Sequence, residues 1–328
     1  MNNIIMICDS NYCIPTKAAI RSIIFNSRID EEVTIYVLGV DLSKDLVREL
    51  ESLSLNKKEV CVRNLPYPYA DDNFTHSYVS VASLYKFQLA DIFSDLDRAL
   101  YLDCDVIVNK SLSMLFDTKI EDYYVAAVED MPAVKSGDWA NRLGHKRYFN
   151  SGVMLLNLKK LREDGISGKL IEYKKNDADN TFMDQNALNA LLGNDTKWLP
   201  IEYNYLICLD KEYKEKEVCD FYNCGSGIFT RKDDIYIYHL AGSEKPWKAL
   251  WADYFELWAK YADSRDILFL NKLYLQREMD DLKEKNDELE NKINQLTQEN
   301  KELSWRIDFC YRHTLRGLLG TVYHKIRG

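Results

Sequence analysis

The sequence predicts an α/β fold, a mainly parallel sheet covered by helices on both faces, followed by a C-terminal coiled-coil helix. Three observations predict it. Short apolar runs alternate with helical patterns as far as residue 240, as expected where helices form the crossovers between parallel strands. Several of these runs end in small polar or acidic residues, and ligands of such sheets sit beyond the carboxyl ends of the strands. From Leu275 the apolar spacing changes to alternating steps of four and three, a strict period that a lone amphipathic helix does not need.

Composition bounds the function. With 328 residues, 46% hydrophobic and 12% aromatic, the chain can bury a large core, which excludes disorder over most of its length. The 43 Lys and Arg against 52 Asp and Glu leave a net charge of -9, which argues against a nucleic-acid surface. The first residues lack a basic segment and carry only a four-residue apolar run, so no secretory signal is expected, nor is any spanning helix. Eight cysteines scattered without C-x-x-C spacing point to a reducing cytoplasm and against structural zinc.

The elements follow in order. Residues 3–8 form an apolar strand ending at Cys8-Asp9-Ser10-Asn11-Tyr12, and a helix over residues 15–26 follows. The polar turn between them is a candidate site by its place in the sheet, or an ordinary turn. Residues 33–40 make a second strand, residues 43–53 a capped helix and residues 59–62 a third strand. A helix is expected over residues 80–93.

In the next stretch, Arg98-Ala-Leu-Tyr-Leu-Asp103-Cys104-Asp105-Val-Ile-Val108, a buried strand ends in two aspartates separated by one residue. In extended backbone, positions i and i+2 point to one side, so both carboxylates can face one ligand. Hard divalent cations take such oxygens together with substrate phosphates. Asp95-Leu-Asp97 and Asp177-Ala-Asp179 share the spacing without the apolar flank and read as solvated turns or helix ends.

Further on, Tyr148-Phe149-Asn150-Ser151-Gly152 opens another apolar run, and Gly152 permits close approach of a ligand or strand. Met183-Asp184-Gln185 opens a helix, where a capping role for Asp184 is the plain alternative. Residues 235–240 read as a strand ending at His239, with Gly242, Lys245, Pro246 and Trp247 in the following turn; a lone histidine of this kind is often structural.

Together these blocks resemble the family 8 retaining glycosyltransferases, the group of bacterial lipopolysaccharide galactosyl- and glucosyltransferases and glycogenin. The resemblance runs in order from about residue 3 to residue 248. It implies the GT-A nucleotide-diphospho-sugar fold, a UDP-sugar donor, a glycan or glycolipid acceptor, and Mn²⁺, with Mg²⁺ as the alternative, bridging the donor diphosphate. By this resemblance Asp103, Asp105 and His239 are the metal ligands, and Cys104 belongs to the same donor-binding segment. Asp9, Asn11 and Tyr12 hold the uridine, Gly242 and Lys245 the diphosphate, and Asn150, Asp184 and Gln185 the donor sugar. Gln185, Asp184 and Lys245 are the implied catalytic residues, and no matched Asp or Glu stands out as a nucleophile. An arginine usual in the helix before the Asp-x-Asp segment is Lys86 here, which keeps the charge and loses the bidentate fork. Either Glu129 or Asp130 fills the remaining donor-sugar carboxylate position. The implied activity is retaining transfer of galactose or glucose in bacterial surface polysaccharide synthesis. A self-glucosylating primer and a catalytically silent scaffold are the alternatives.

These blocks place a catalytic domain at residues 1–274, its motifs within 1–250 and a helical completion over 251–274. Residues 275–303 carry Leu275, Leu282, Leu289, Leu296 and Leu303 at d, with Met279, Asn286, Ile293 and Asn300 at a. Buried asparagines at a favour a parallel two-stranded pair, and in that register Glu278 meets Lys283 and Lys285 meets Glu290 across the seam. A homodimer is expected. Residues 304–328 interleave aromatic and aliphatic side chains with five basic residues against Asp308. That pattern suits a helix on an anionic membrane surface, here the inner face of the cell membrane, or a segment docked on the catalytic domain; Gly317 and Gly320 weaken the helix.

Overall fold

The computed structural model describes residues 2–67, 81–137, 143, 147–176, 184–242, 245–248 and 252–327. The chain divides into two compact units, Met1–Leu268 and Phe269–Gly328.

Among the described residues the first unit holds ten strands: β1 (Asn2–Asp9), β2 (Val33–Val40), β3 (Lys58–Leu65), β4 (Ala99–Leu102), β5 (Val106–Val108), β6 (Val125–Glu129), β7 (Phe149–Leu156), β8 (Thr196–Trp198), β9 (Tyr205–Leu206) and β10 (Ile237–His239). Seven form one sheet in the order β3-β2-β1-β4-β7-β6-β8. Parallel pairing joins β1 to β2 and β4, β2 to β3, and β6 to β8. β7 runs antiparallel to β4 and β6, so the sheet is mixed. That reversal brings the amino end of β7 to the carboxyl ends of its two neighbours.

Local chemistry explains the elements. β1 is buried from Ile4 to Asp9 because both faces are covered. Ile4, Met6 and Cys8 pack with Ile20 and Ile23 on one side, while Ile5 and Ile7 pack with Leu84, Phe87 and Phe93 on the other. The helix Cys13–Asn26 takes Pro15 in its first turn, and Lys44–Glu51 is capped by Ser43, which accepts a hydrogen bond from the Leu46 N–H. The expected strand at residues 33–40 coincides with β2.

Two expectations change. The strand does not extend to the two aspartates: the chain leaves the large sheet after Leu102, turns at Cys104 and Asp105, and enters a second sheet of order β5-β10-β9. Asp103 and Asp105 therefore converge through a turn at the junction of two sheets, and extended-strand alternation does not apply. The segment expected as an α-helix over residues 80–93 winds as a 3-10 helix over Val81–Gln88, followed by one α-turn at Leu89–Ile92; Ser80 lies outside the described residues. Leu84, Tyr85, Lys86 and Phe87 are all buried. Packing on every side, with no 3.6-residue stripe, sets that winding. The turn expected at Asp95–Asp97 is present and exposed, whereas Asp177 to Asp179 lie outside the described residues.

One helix, Ser264–Arg327, supplies the end of the first unit and the second unit. It continues through Gly317 and Gly320. Leu275, Met279, Leu282, Leu289, Ile293, Leu296 and Leu303 along its seam are all exposed. Among the described residues no helix is long and apolar enough to cross a membrane.

Candidate active site

The site lies where the carboxyl ends of β1, β4 and β6 meet the amino end of β7, with the end of β10 supplied by the second sheet. After β4, the Asp103 N–H donates to the Gly152 carbonyl at 2.8 Å, and after β10 the Leu240 N–H donates to the Asp105 carbonyl at 2.8 Å. Those two bonds hold the Asp-x-Asp turn between the sheets. His239 Nε2 stands 3.3 Å from Asp105 Oδ1 and 3.9 Å from Asp103 Oδ2.

The ligand atoms of Asp103, Asp105 and His239 all lie within 4.8 Å of one another. Two carboxylates and one imidazole form a donor set that could hold a divalent metal ion, and all three side chains reach one point only because residue 152 is glycine. A Cβ there would stand 2.2 Å from His239 Cε1 and 2.8 Å from Asp103 Oδ2. The close approach expected at Gly152 is therefore that of the imidazole.

Cations already compensate these carboxylates. Lys245 Nζ donates to Asp105 Oδ2 at 2.6 Å and to the Leu240 carbonyl at 2.7 Å. Burial alone would raise the Asp105 carboxyl, but the ammonium of Lys245 and the His239 ring outweigh it and hold the group well below the usual carboxylate range. Lys86 Nζ bridges Asp103 Oδ1 at 3.1 Å and Asp184 Oδ2 at 2.8 Å. Burial would lower this lysine, yet the two carboxylates drive it above its ordinary value.

Asp184 precedes the helix Gln185–Leu192, as expected, but its side chain does not cap it. The carboxylate instead accepts from Ser151 Oγ at 2.9 Å and pairs with Lys86, so the capping alternative is overturned by a stronger buried partner. Gln185 Oε1 accepts from the Ser151 N–H at 2.9 Å and its Nε2 donates to Asp130 Oδ2 at 3.1 Å. Asn150 Nδ2 donates to the same Asp130 oxygen at 3.0 Å.

The two carboxylates at the end of β6 part company. Asp130 joins the network of Asn150 and Gln185, whereas Glu129 pairs with Arg147 Nη2 at 2.7 Å, whose guanidinium stacks 3.7 Å over the Trp198 ring. Cys104 also leaves the cluster: its thiol turns into the core and donates to the Ile7 carbonyl at 2.9 Å. At the end of β1, the Asp9 carboxylate accepts from the Asn11 and Tyr12 N–H groups at 3.0 and 3.2 Å, shaping the 3-10 turn Ser10–Tyr12. Asn11 is exposed, and half-buried Tyr12 meets Trp247 edge-on at 6.2 Å. Gly242 has φ +104°, a left-handed backbone open on its Cβ side; Ser243 and Glu244 lie outside the described residues.

Sequence reasoning missed three groups here. Tyr101 donates its hydroxyl hydrogen to Asp103 Oδ1 at 2.6 Å, Ser151 binds Asp184, and Asn204 links His239 to Asn150. Tyr101 stands two residues before Asp103 at the end of β4, and that short separation is a usable signal. Asn204 offers none, since its partners are 35 and 54 residues away.

An acidic, cation-compensated cluster at the carboxyl edge of this mixed sheet is the arrangement of a sugar transferase with the GT-A fold. The chain belongs to glycosyl transferase family 8, whose model matches residues 3–250. Among solved structures, the apo form of the bifunctional glycosyltransferase WbbM aligns with a TM-score of 0.70 at 21% identity, covering 83% of this chain and 51% of that one. The galactosyltransferase LgtC, solved with donor and acceptor sugar analogues, aligns with a TM-score of 0.66 at 22% identity, covering 79% of this chain and 94% of that one. In sequence the chain is 30% identical over 257 residues to a lipopolysaccharide 1,2-glucosyltransferase of Escherichia coli, covering 75% of this chain and 73% of the relative. It is 28% identical over 272 residues to glycosyltransferase GlyF of Streptococcus pneumoniae, and that match spans 80% of this chain but only 61% of GlyF.

Proposed function

We propose that this glycosyltransferase is a metal-dependent, retaining hexosyltransferase that moves galactose or glucose from a UDP-sugar to a glycan or glycolipid of the bacterial surface. The observation that carries this reading is the convergence of Asp103, Asp105 and His239 beside the ammonium of Lys245. Mn²⁺ suits a set of two carboxylates and one imidazole better than Mg²⁺ does. When bound, such an ion supplies Lewis-acid neutralisation of the leaving diphosphate.

The chain's own groups supply the rest. Lys245 offers a preorganised positive charge where negative charge builds on the leaving group. Gln185 and Asp184 orient the donor sugar, and Lys86 pairs with Asp184. Asp184 is held by Ser151 and Lys86, and Asp130 by Asn150, Gln185 and the Ala133 N–H. Carboxylates bound so fully are poor nucleophiles, which supports same-face attack by the acceptor through an oxocarbenium-like state, with positioning supplying much of the rate. Asp9, Asn11 and Tyr12 contact the uridine, and Gly242 the diphosphate.

Residues 275–303 pair with a second copy in parallel register, and residues 304–328 address an anionic membrane at the cytoplasmic face. The exposed leucines of the seam support the first of these, and the five basic residues of the tail the second. Donor hydrolysis measured with UDP-galactose, UDP-glucose, UDP-N-acetylgalactosamine and UDP-N-acetylglucosamine, each with and without Mn²⁺, tests the reading. Metal-dependent release of UDP from a hexose donor is expected; release from none of the four overturns it.

A further inference from the structure

Asn204 sits between the 3-10 turn Ile201–Tyr203 and β9, and is 1% exposed. Its side chain touches two groups of the site. One end lies 2.9 Å from Asn150 Oδ1 and the other 3.0 Å from His239 Nδ1. Which end is which follows from backbone donors whose direction is fixed.

The Gly152 N–H can only donate, and it meets the Asn150 amide at 3.0 Å, so that end of Asn150 is oxygen. The other end of Asn150 is then the NH₂ group, in agreement with its contact to a carboxylate oxygen of Asp130 at 3.0 Å. Asn150 Oδ1 also faces Asn204, so Asn204 must present its own NH₂ group there. Its carbonyl oxygen is left for His239 Nδ1, which must carry the hydrogen. The other ring nitrogen, Nε2, is thereby the one that faces Asp103 and Asp105. A backbone N–H in β7 thus sets, through two buried amides, the tautomer of a histidine in β10.

The geometry points to Asn204 as a positioning residue that holds His239 as the Nδ1–H tautomer, with Nε2 available to a divalent cation. This rests on the reading of Asp103, Asp105 and His239 as a cation site. A neutral histidine ligand needs such a partner on its other nitrogen, and losing it costs roughly 10–100-fold in metal affinity in well-studied sites. Asn204 touches neither the cation position nor any reacting atom; it acts through the imidazole.

Two measurements on the full chain test this. Free Mn²⁺ counted by electron paramagnetic resonance gives the affinity of the native protein, Asn204→Ala and Asn204→Asp. Asn204→Ala is expected to bind Mn²⁺ roughly 10–100-fold more weakly. Asn204→Asp, whose carboxylate still accepts from Nδ1–H but loses the donor to Asn150 Oδ1, is expected to recover part of that loss. Asn204→Ala binding as tightly as the native protein, or Asn204→Asp binding as weakly as Asn204→Ala, overturns the proposal and leaves the cation site standing.

Nitrogen-15 spectra of histidine-labelled native protein loaded with Cd²⁺, a diamagnetic probe, read the tautomer without any substitution. A hydrogen on Nδ1 with Nε2 coordinated is expected, and the opposite arrangement overturns the assignment even if the variants fail to fold. A native protein that binds neither Mn²⁺ nor Cd²⁺ overturns the cation site itself, and this proposal with it.

Discussion

The carboxyl edge of the large sheet and the seam of the terminal helix invert the usual rule of burial in opposite directions. At the sheet edge, charged and polar groups are buried: Lys86, Asp184, His239 and Lys245 are each less than a tenth exposed. Along the helix, apolar groups face water: Leu275, Leu282 and Leu289 are each at least 60% exposed. Buried charge is tolerated at the edge because each group has an opposite charge or a hydrogen-bond partner within the unit. The seam has no such internal compensation among the described residues, and an apolar stripe of strict heptad period is satisfied by another helix. One region satisfies its buried charges within the unit, and the other leaves its apolar stripe open to solvent.

The comparison can be broken from either side. The largest effect is expected from Asp105→Asn, which removes a carboxylate from the cation set and a partner from Lys245. Transfer activity of the folded variant should fall on the order of 100-fold or more, and the unpaired Lys245 should lower the thermal unfolding midpoint as well; activity within a few fold of native would remove Asp105 from the site. Next comes Lys86→Met. Leaving Asp103 and Asp184 without their shared cation should cost about 3–5 kcal/mol of folding stability, read from urea unfolding.

Gly152→Ala is expected to cost about 1–3 kcal/mol, because its Cβ forces the His239 ring aside. Weaker Mn²⁺ binding should accompany it, and unchanged affinity would show that the ring has room to move. The smallest effect on the first unit should come from Leu289→Lys. This exposed position should alter the unfolding of the catalytic unit by no more than about 0.5 kcal/mol, yet sedimentation should show dimers replaced by monomers. Dimers that persist would move the interface off the heptad.

Much of the site was legible in local sequence. The apolar runs before Asp9, Asp103 and His239, with Asn150 opening a run of its own, located four pieces of one edge, because fold class alone says which strand ends gather ligands. Two pieces were legible only in part. Asp184 was correctly placed at a helix start, yet its capping alternative failed because a buried ammonium from residue 86 competes for the same carboxylate. The choice between Glu129 and Asp130 had no local signal at all, since both flank the same strand end and only the positions of Arg147 and Asn150 separate them.

The sequence by itself determined the α/β class, the run of β2 and the heptad of the terminal helix. Each is written in spacing along the chain, which periodic backbone geometry converts directly into shared faces. Only the tertiary structure decided that the Asp-x-Asp pair sits in a turn between two sheets and that Glu129 and Cys104 face away. It alone placed Asn204 behind His239. Those outcomes depend on hydrogen-bond direction between residues tens of positions apart, and a linear pattern carries no information about which end of a buried amide meets which partner.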